Sequence, residues 1–131
     1  MDQKYFNRLS MSRSPLDYLK HILDECKFIL SVIPESVSFE DFFSNEEKKR
    51  AIVRSLEIIG EATKNIPVDF KLKWSDVEWK QMSGMRDRLI HDYFGVDYQI
   101  VWDVVSNKIP GLKDSVETIL NDYPESDQGQ L

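Results

Sequence analysis

Residues 44–67 read SNEEKKRAIVRSLEIIGEATKNIP, and this stretch decides the fold class. Ser44 and Glu47 have the S-x-x-E spacing of a capping box, in which two side chains satisfy orphan amides at a helix start. Ile52, Val53, Leu56, Ile59, Ala62 and Ile66 then recur at three- and four-residue intervals, and Pro67 forbids continuation. That periodicity predicts one amphipathic helix with a single buried stripe.

The same punctuation appears on both sides. Upstream, Ser14, Pro15 and Asp17 form an N-cap, a first-turn proline and a first-turn acid. They open a helix whose stripe is Leu19, Ile22, Leu23, Cys26, Leu30 and Ile33, ending at Pro34. Cys26 falls within that stripe and is expected to be a small core residue. The connector ESVSFEDFFSN brings Phe39, Phe42 and Phe43 toward the core. Downstream, after a link holding Lys71, Lys73 and Trp74, a box of Ser75 and Glu78 predicts a third helix through Trp79, Met82, Leu89 and Tyr93 to about Gly95. Asp97 caps a fourth over Ile100, Val101, Val104 and Val105. Pro110 opens a fifth with Leu112, Val116, Ile119 and Leu120. With no strand-like alternation and no internal repeat, the expected class is all-α: an antiparallel bundle of about five helices over residues 13–123. Residues 1–12 are expected to be a flexible leader, with Met11 an alternative start, and 124–131 a disordered tail.

Composition bounds the function. The 131 residues carry 17 Lys plus Arg against 23 Asp plus Glu, a formal charge of -6. An acidic chain is a poor indiscriminate binder of polyanions, since that affinity comes from many cation–phosphate contacts. Yet residues 44–90 hold 10 basic and 8 acidic residues, so the cations concentrate mid-chain. The lone cysteine excludes an internal disulfide and a zinc knuckle. No apolar run approaches a membrane span and the first dozen residues lack a signal-like core, so a cytoplasmic protein without a membrane partner is expected.

Chemistry-bearing residues gather in one place. His21 lies off the first apolar stripe beside Lys20 and is expected to be solvated. Residues 85–97 read MRDRLIHDYFGVD, with Arg86, Asp87, Arg88, His91, Asp92 and Tyr93 inside eight positions. On a continuous helix Asp87 and His91 share a face, as do Arg88 and His91, whereas Arg86 and His91 stand about 140° apart. Convergence then needs a bend near Gly95, the reach of arginine, or a second copy of the helix. From spacing alone, a solvated helix face with internal ion pairs is the ordinary reading of such a run. Glu61 suits a buried polar contact to the third helix better than catalysis. Lys71, Lys73, Lys80 and Arg88 offer a rim for phosphates or plain solvated surface, and Trp74 and Trp79 suit core or interface anchoring. No Walker, Rossmann or serine-hydrolase motif is present.

Arg86, four residues, His91, one residue, Tyr93 resembles the R-x4-6-H motif of HEPN-domain proteins, in the R-x4-H-x-Y form of the HepT-like branch. The resemblance extends to SPLDYLKHILDE (residues 14–25), RAIVRSLEIIGEATKNIP (50–67) and VEWKQMSGMRDRLIHDYFGVDYQIVWDVVSNKIPGLK (77–113), covering roughly residues 13–121. It implies a HEPN bundle that pairs as a homodimer with two facing motifs and cleaves RNA as a toxin without metal or other cofactor. It implies as partner an MntA-like minimal nucleotidyltransferase antitoxin that attaches AMP to Tyr93. Carried over, Arg86 and His91 are the catalytic pair, and Asp87, Arg88 and Tyr93 support substrate binding. The alternative expectation is a non-catalytic HEPN module that binds a nucleotide or docks a nucleotidyltransferase.

Overall fold

The computed structural model describes residues 14–91 and 95–123, with the side chain of His91 left out. The expected leader and tail therefore lie outside the described residues, as does Tyr93. Among the described residues the fold is a helical bundle with one two-stranded hairpin: α1 Pro15–Val32, α2 Phe39–Phe43, α3 Glu46–Lys64, α4 Val68–Lys73, α5 Trp79–Ser83, α6 Met85–Leu89, β1 Ile90–His91, β2 Gly95–Val96, α7 Tyr98–Asn107 and α8 Ile109–Asn121.

Helix α1 starts as its sequence dictates. The Ser14 N–H donates to Asp17 Oδ2 at 3.1 Å and the Asp17 N–H to Ser14 Oγ at 3.4 Å, closing a capping box. Leu16, Leu19, Ile22, Cys26 and Ile29 are its buried face. It packs against α3 and α8, whose Ile52, Leu56, Ile59, Val116 and Ile119 complete the core. Each fully buried Leu or Ile contributes on the order of 1.5–3 kcal/mol by leaving water. Cys26 is buried here as expected, and burial, helped by nearby Glu25, pushes its thiol up to about 12.

Three boundaries differ from the sequence reading. The connector forms α2, capped by Ser38, whose Oγ accepts from the Asp41 N–H at 3.1 Å. Ser44 is consumed as the C-cap of α2, so α3 starts one residue later with Asn45, whose Oδ1 accepts from the Lys48 N–H at 3.0 Å. Phe42 is buried, Phe39 half-buried, and Phe43 exposed at the cluster's edge. The link after Pro67 is helical as α4, with Phe70 inward and Val68 and Leu72 outward. Ser75 caps nothing; the next helix starts at Trp79, and Trp79 Nε1 donates to the carbonyls of Lys71 and Trp74, pinning that linker.

The aromatic cluster ties distant segments together. Phe42 and Phe43 meet Tyr98 of α7, and Phe39 and Phe42 meet Trp102. Buried Lys49 sits 4.2 Å from the Phe43 ring centroid and 4.5 Å from that of Tyr98, with Glu46 Oε1 3.0 Å from its Nζ. This anchors the start of α7, and with it the end of the hairpin. None of the described helices is long and apolar enough to cross a membrane.

Candidate active site

The third predicted helix is the main departure from expectation, and it falls on the motif. It is broken at Gly84, which ends α5 and begins α6, and it stops altogether at Leu89. Ile90 is extended, with φ -109° and ψ 122°, and the chain turns into an antiparallel pair with Ile90 opposite Val96 and His91 opposite Gly95. Gly95 sits at φ +87°, a left-handed conformation that glycine adopts without Cβ penalty. The glycine expected to end a helix is instead part of a hairpin that returns the chain, so that the Asp97 N–H donates to the Leu89 carbonyl at 2.8 Å. Asp97 then caps α7 as predicted, accepting from the N–H groups of Gln99 and Ile100.

Helical-wheel arithmetic between Arg86 or Asp87 and His91 therefore does not apply. Arg86, Asp87 and Arg88 stand on α6 and His91 on β1; Tyr93 and the His91 imidazole lie outside the described residues. Met85 and Leu89, four apart, are fully buried and fix the roll of α6, which leaves the intervening Arg86, Asp87 and Arg88 exposed together. A single turn of helix thus presents two guanidiniums to solvent beside the strand that carries the histidine.

Helix α3 supplies the floor. A Cβ at Gly60 would lie 3.2 Å from the Met82 carbonyl oxygen and 3.6 Å from Met85 Cβ, so a side chain here would push α3 and the α5–α6 junction a few tenths of an ångström apart. One turn before Gly60, Glu57 Oε2 stands 3.8 Å from Arg86 Nε, with the two side chains 25% and 57% exposed. Glu61, favoured by sequence for a buried contact with the third helix, is 63% exposed and pairs with Lys64 of its own helix at 3.6 Å. The register of α3 turns Glu61 outward and Glu57 toward the motif, so the acidic neighbour of Arg86 is one the sequence reading passed over. The signal was present: Glu57 is three residues before Gly60 and four before Glu61 on the flank of the apolar stripe.

The other candidates are placed as follows. Lys73, Lys80 and Arg88 are exposed and Lys71 half-buried. Trp79 is buried and Trp74 half-buried against the core, which makes both anchors. His21 is exposed. No group of three or more His, Cys, Asp or Glu side chains among the described residues is arranged to hold a metal ion.

The described helices form a bundle consistent with a HEPN fold, with Arg86 exposed on α6 five residues before His91 on β1. A family model described as Ribonuclease HepT-like matches residues 17–119, and the chain belongs to that family. Among its curated relatives, a protein of Caldanaerobacter subterraneus subsp. tengcongensis named "Putative RNase" is 51% identical over 108 residues, covering 82% of this chain and 96% of that one. "Probable ribonuclease HepT" of Thermococcus cleftensis is 45% identical over 109 residues, covering 83% and 98%. A "Putative RNase" of Methanocaldococcus jannaschii is 40% identical over 114 residues, covering 87% and 93%. No solved structure matches the chain significantly.

Proposed function

We propose that this chain is the endoribonuclease toxin of a HepT/MntA-like toxin–antitoxin pair, acting as a homodimer without a metal cofactor, with Arg86 and His91 as its catalytic pair. The observation that carries the reading is the exposure of Arg86 on a turn whose neighbours Met85 and Leu89 are locked in the core, directly before the strand bearing His91. The names of the relatives support ribonuclease chemistry.

Imidazole, with an ordinary pKa of about 6.5, takes the proton of a ribose 2′-hydroxyl at neutral pH. The 2′-oxygen attacks the adjacent phosphorus, the bond to the 5′-oxygen breaks, and that oxygen receives a proton from an imidazolium. The products are a 2′,3′-cyclic phosphate and a 5′-hydroxyl, and DNA, lacking the 2′-hydroxyl, is not cut. The Arg86 guanidinium, always charged and fork-shaped, holds the non-bridging oxygens and stabilises charge gathering on them in the transition state. Asp87 and Arg88 flank this phosphate. Neutralisation is AMP transfer to Tyr93: the phenol oxygen attacks the α-phosphorus of ATP on the nucleotidyltransferase and pyrophosphate leaves. The added bulk and negative charge at the site repel substrate phosphate.

The test incubates purified wild type, Arg86→Ala and His91→Ala with single-stranded RNA and with DNA of the same sequence. Cyclic-phosphate ends from RNA alone are expected, with each variant reduced about 10²–10⁴-fold. Equal cleavage by wild type and His91→Ala would remove histidine from the mechanism, and a wild type that binds nucleotide without cutting would establish the docking-module alternative. Intact mass after co-expression with an MntA-like nucleotidyltransferase should show AMP increments that vanish in Tyr93→Phe.

A further inference from the structure

Arg86 is the group on which the proposed chemistry leans most, and on an exposed turn a long side chain has many rotamers to lose. Its ion pair among the described residues is with Glu57, at 3.8 Å from Nε. The pair is not an accident of two floppy surface chains. Glu57 is three-quarters covered, and it projects from α3 one turn from the point where Gly60 touches the backbone at Met82 and the side chain of Met85. Met85 is the residue before Arg86, so the separation between the backbones that carry Glu57 and Arg86 is set by this close packing. A partly exposed pair contributes little to stability. What it does contribute is direction.

A guanidinium donates along two edges, one formed by Nε with an Nη and one by the two Nη groups. The Glu57 carboxylate, at ion-pair distance 3.8 Å from Nε, lies toward the first edge. From this geometry we infer that Glu57 is a positioning residue for Arg86: it restrains the side chain and turns the two-Nη edge outward, where it meets two non-bridging oxygens of the scissile phosphate. This role rests on the proposed nuclease reading of Arg86. It has an opposite that the same contact would permit, in which Glu57 competes with phosphate and holds the arginine shut. The two differ in sign.

The experiment follows cleavage of a fluorescent single-stranded oligoribonucleotide by wild type, Glu57→Gln and Glu57→Ala, alone and combined with Arg86→Lys. Positioning predicts kcat lowered about tenfold or more in Glu57→Ala, a smaller loss in Glu57→Gln, which keeps the size and polarity of the side chain without its charge, and KM changed by less than about twofold. In the Arg86→Lys background, where there is no second edge to aim, Glu57→Ala should cost nothing further. In parallel, the Arg86 Nε–H resonance, assigned by its loss in Arg86→Lys, should have a distinct chemical shift in wild type and move to the free-arginine position in Glu57→Ala. A fall in KM with kcat kept or raised overturns positioning in favour of a lock. An equal loss in the Arg86→Lys background, or an unchanged Nε–H signal in Glu57→Ala, shows that Glu57 does not act through Arg86. Wild-type protein that cuts no RNA removes the nuclease reading and this role together, whereas full activity in Glu57→Ala removes only the role of Glu57.

Discussion

Replacing Gly60 by valine tests the packing that holds α3 against the motif. A Cβ at this position already meets the Met82 carbonyl at 3.2 Å and Met85 Cβ at 3.6 Å, and valine's two γ-methyls reach a bond length further into the same gap. Overpacking of this kind costs about 1–3 kcal/mol. Valine in a helix interior recovers roughly 0.4 kcal/mol relative to glycine through propensity. The net loss is about 0.6–2.6 kcal/mol, which for a domain of this size lowers Tm by roughly 2–10 °C. Gly111 is the matched control. It lies in the first turn of α8, and a Cβ there meets nothing within 4 Å. Gly111→Val should therefore melt within about 2 °C of wild type or slightly above it. The assay is thermal unfolding followed by far-ultraviolet circular dichroism. RNA cleavage measured well below Tm should fall in Gly60→Val and not in Gly111→Val, because the displaced backbone leads directly into Arg86. If both variants melt alike, α3 and the α5–α6 junction are not in contact at Gly60 and the account of the site's floor is wrong.

Two further outcomes follow from ionisation. The carboxyls of Glu46 and Glu117 lie below their ordinary range, chiefly through hydrogen bonds from Lys49 at 3.0 Å and Lys113 at 2.6 Å. A depressed folded-state pKa gives stability that is present above the unfolded value, about 4.3, and lost as pH falls through the folded value. Tm should thus decline on acidification below about pH 4, and Glu46→Gln/Glu117→Gln should flatten that decline; an identical slope in the double variant would show that other groups govern it. The Cys26 thiol, pushed up to about 12 by burial, should resist alkylation in the folded protein at about pH 8 and react fully in denaturant. Rapid labelling of native protein, read by mass, would contradict the packing of α1.

The parts of the fold governed by local rules were legible in the sequence. Asp97 and the Ser14–Asp17 box mark helix starts because their side chains bond amides two or three residues away, and that chemistry is fully local. The stripes of α1, α3, α7 and α8 emerged because burial repeats at helical spacing. Ser44 misled because two overlapping signals competed for one residue, and the short α2 claimed it as a C-cap. The motif itself was visible as a cluster but not as a geometry. Nothing between Leu89 and Gly95 breaks a helix outright, and Gly95 serves equally well as a helix terminator or as a hairpin residue at positive φ. The choice between them is made by the Leu89–Asp97 hydrogen bond and by the packing of Ile90 and Val96 on the core, which involve residues brought together only in the fold. Glu57 was missed for the same reason: its partner is 29 positions away.

The change from helix to strand between Arg86 and His91 bears on how far this segment tolerates insertion. Had both residues shared one helix, a single added residue would swing the histidine about 100° around the axis and a second would double the error. On the junction seen here, an extra residue after Leu89 becomes a bulge at the foot of a two-residue strand, while Met85 and Leu89 still hold the arginine's turn in place. The arginine is tethered to the bundle and the histidine to the hairpin, so their spacing along the chain can drift without unseating either. A motif defined with four to six intervening residues is what such a junction permits.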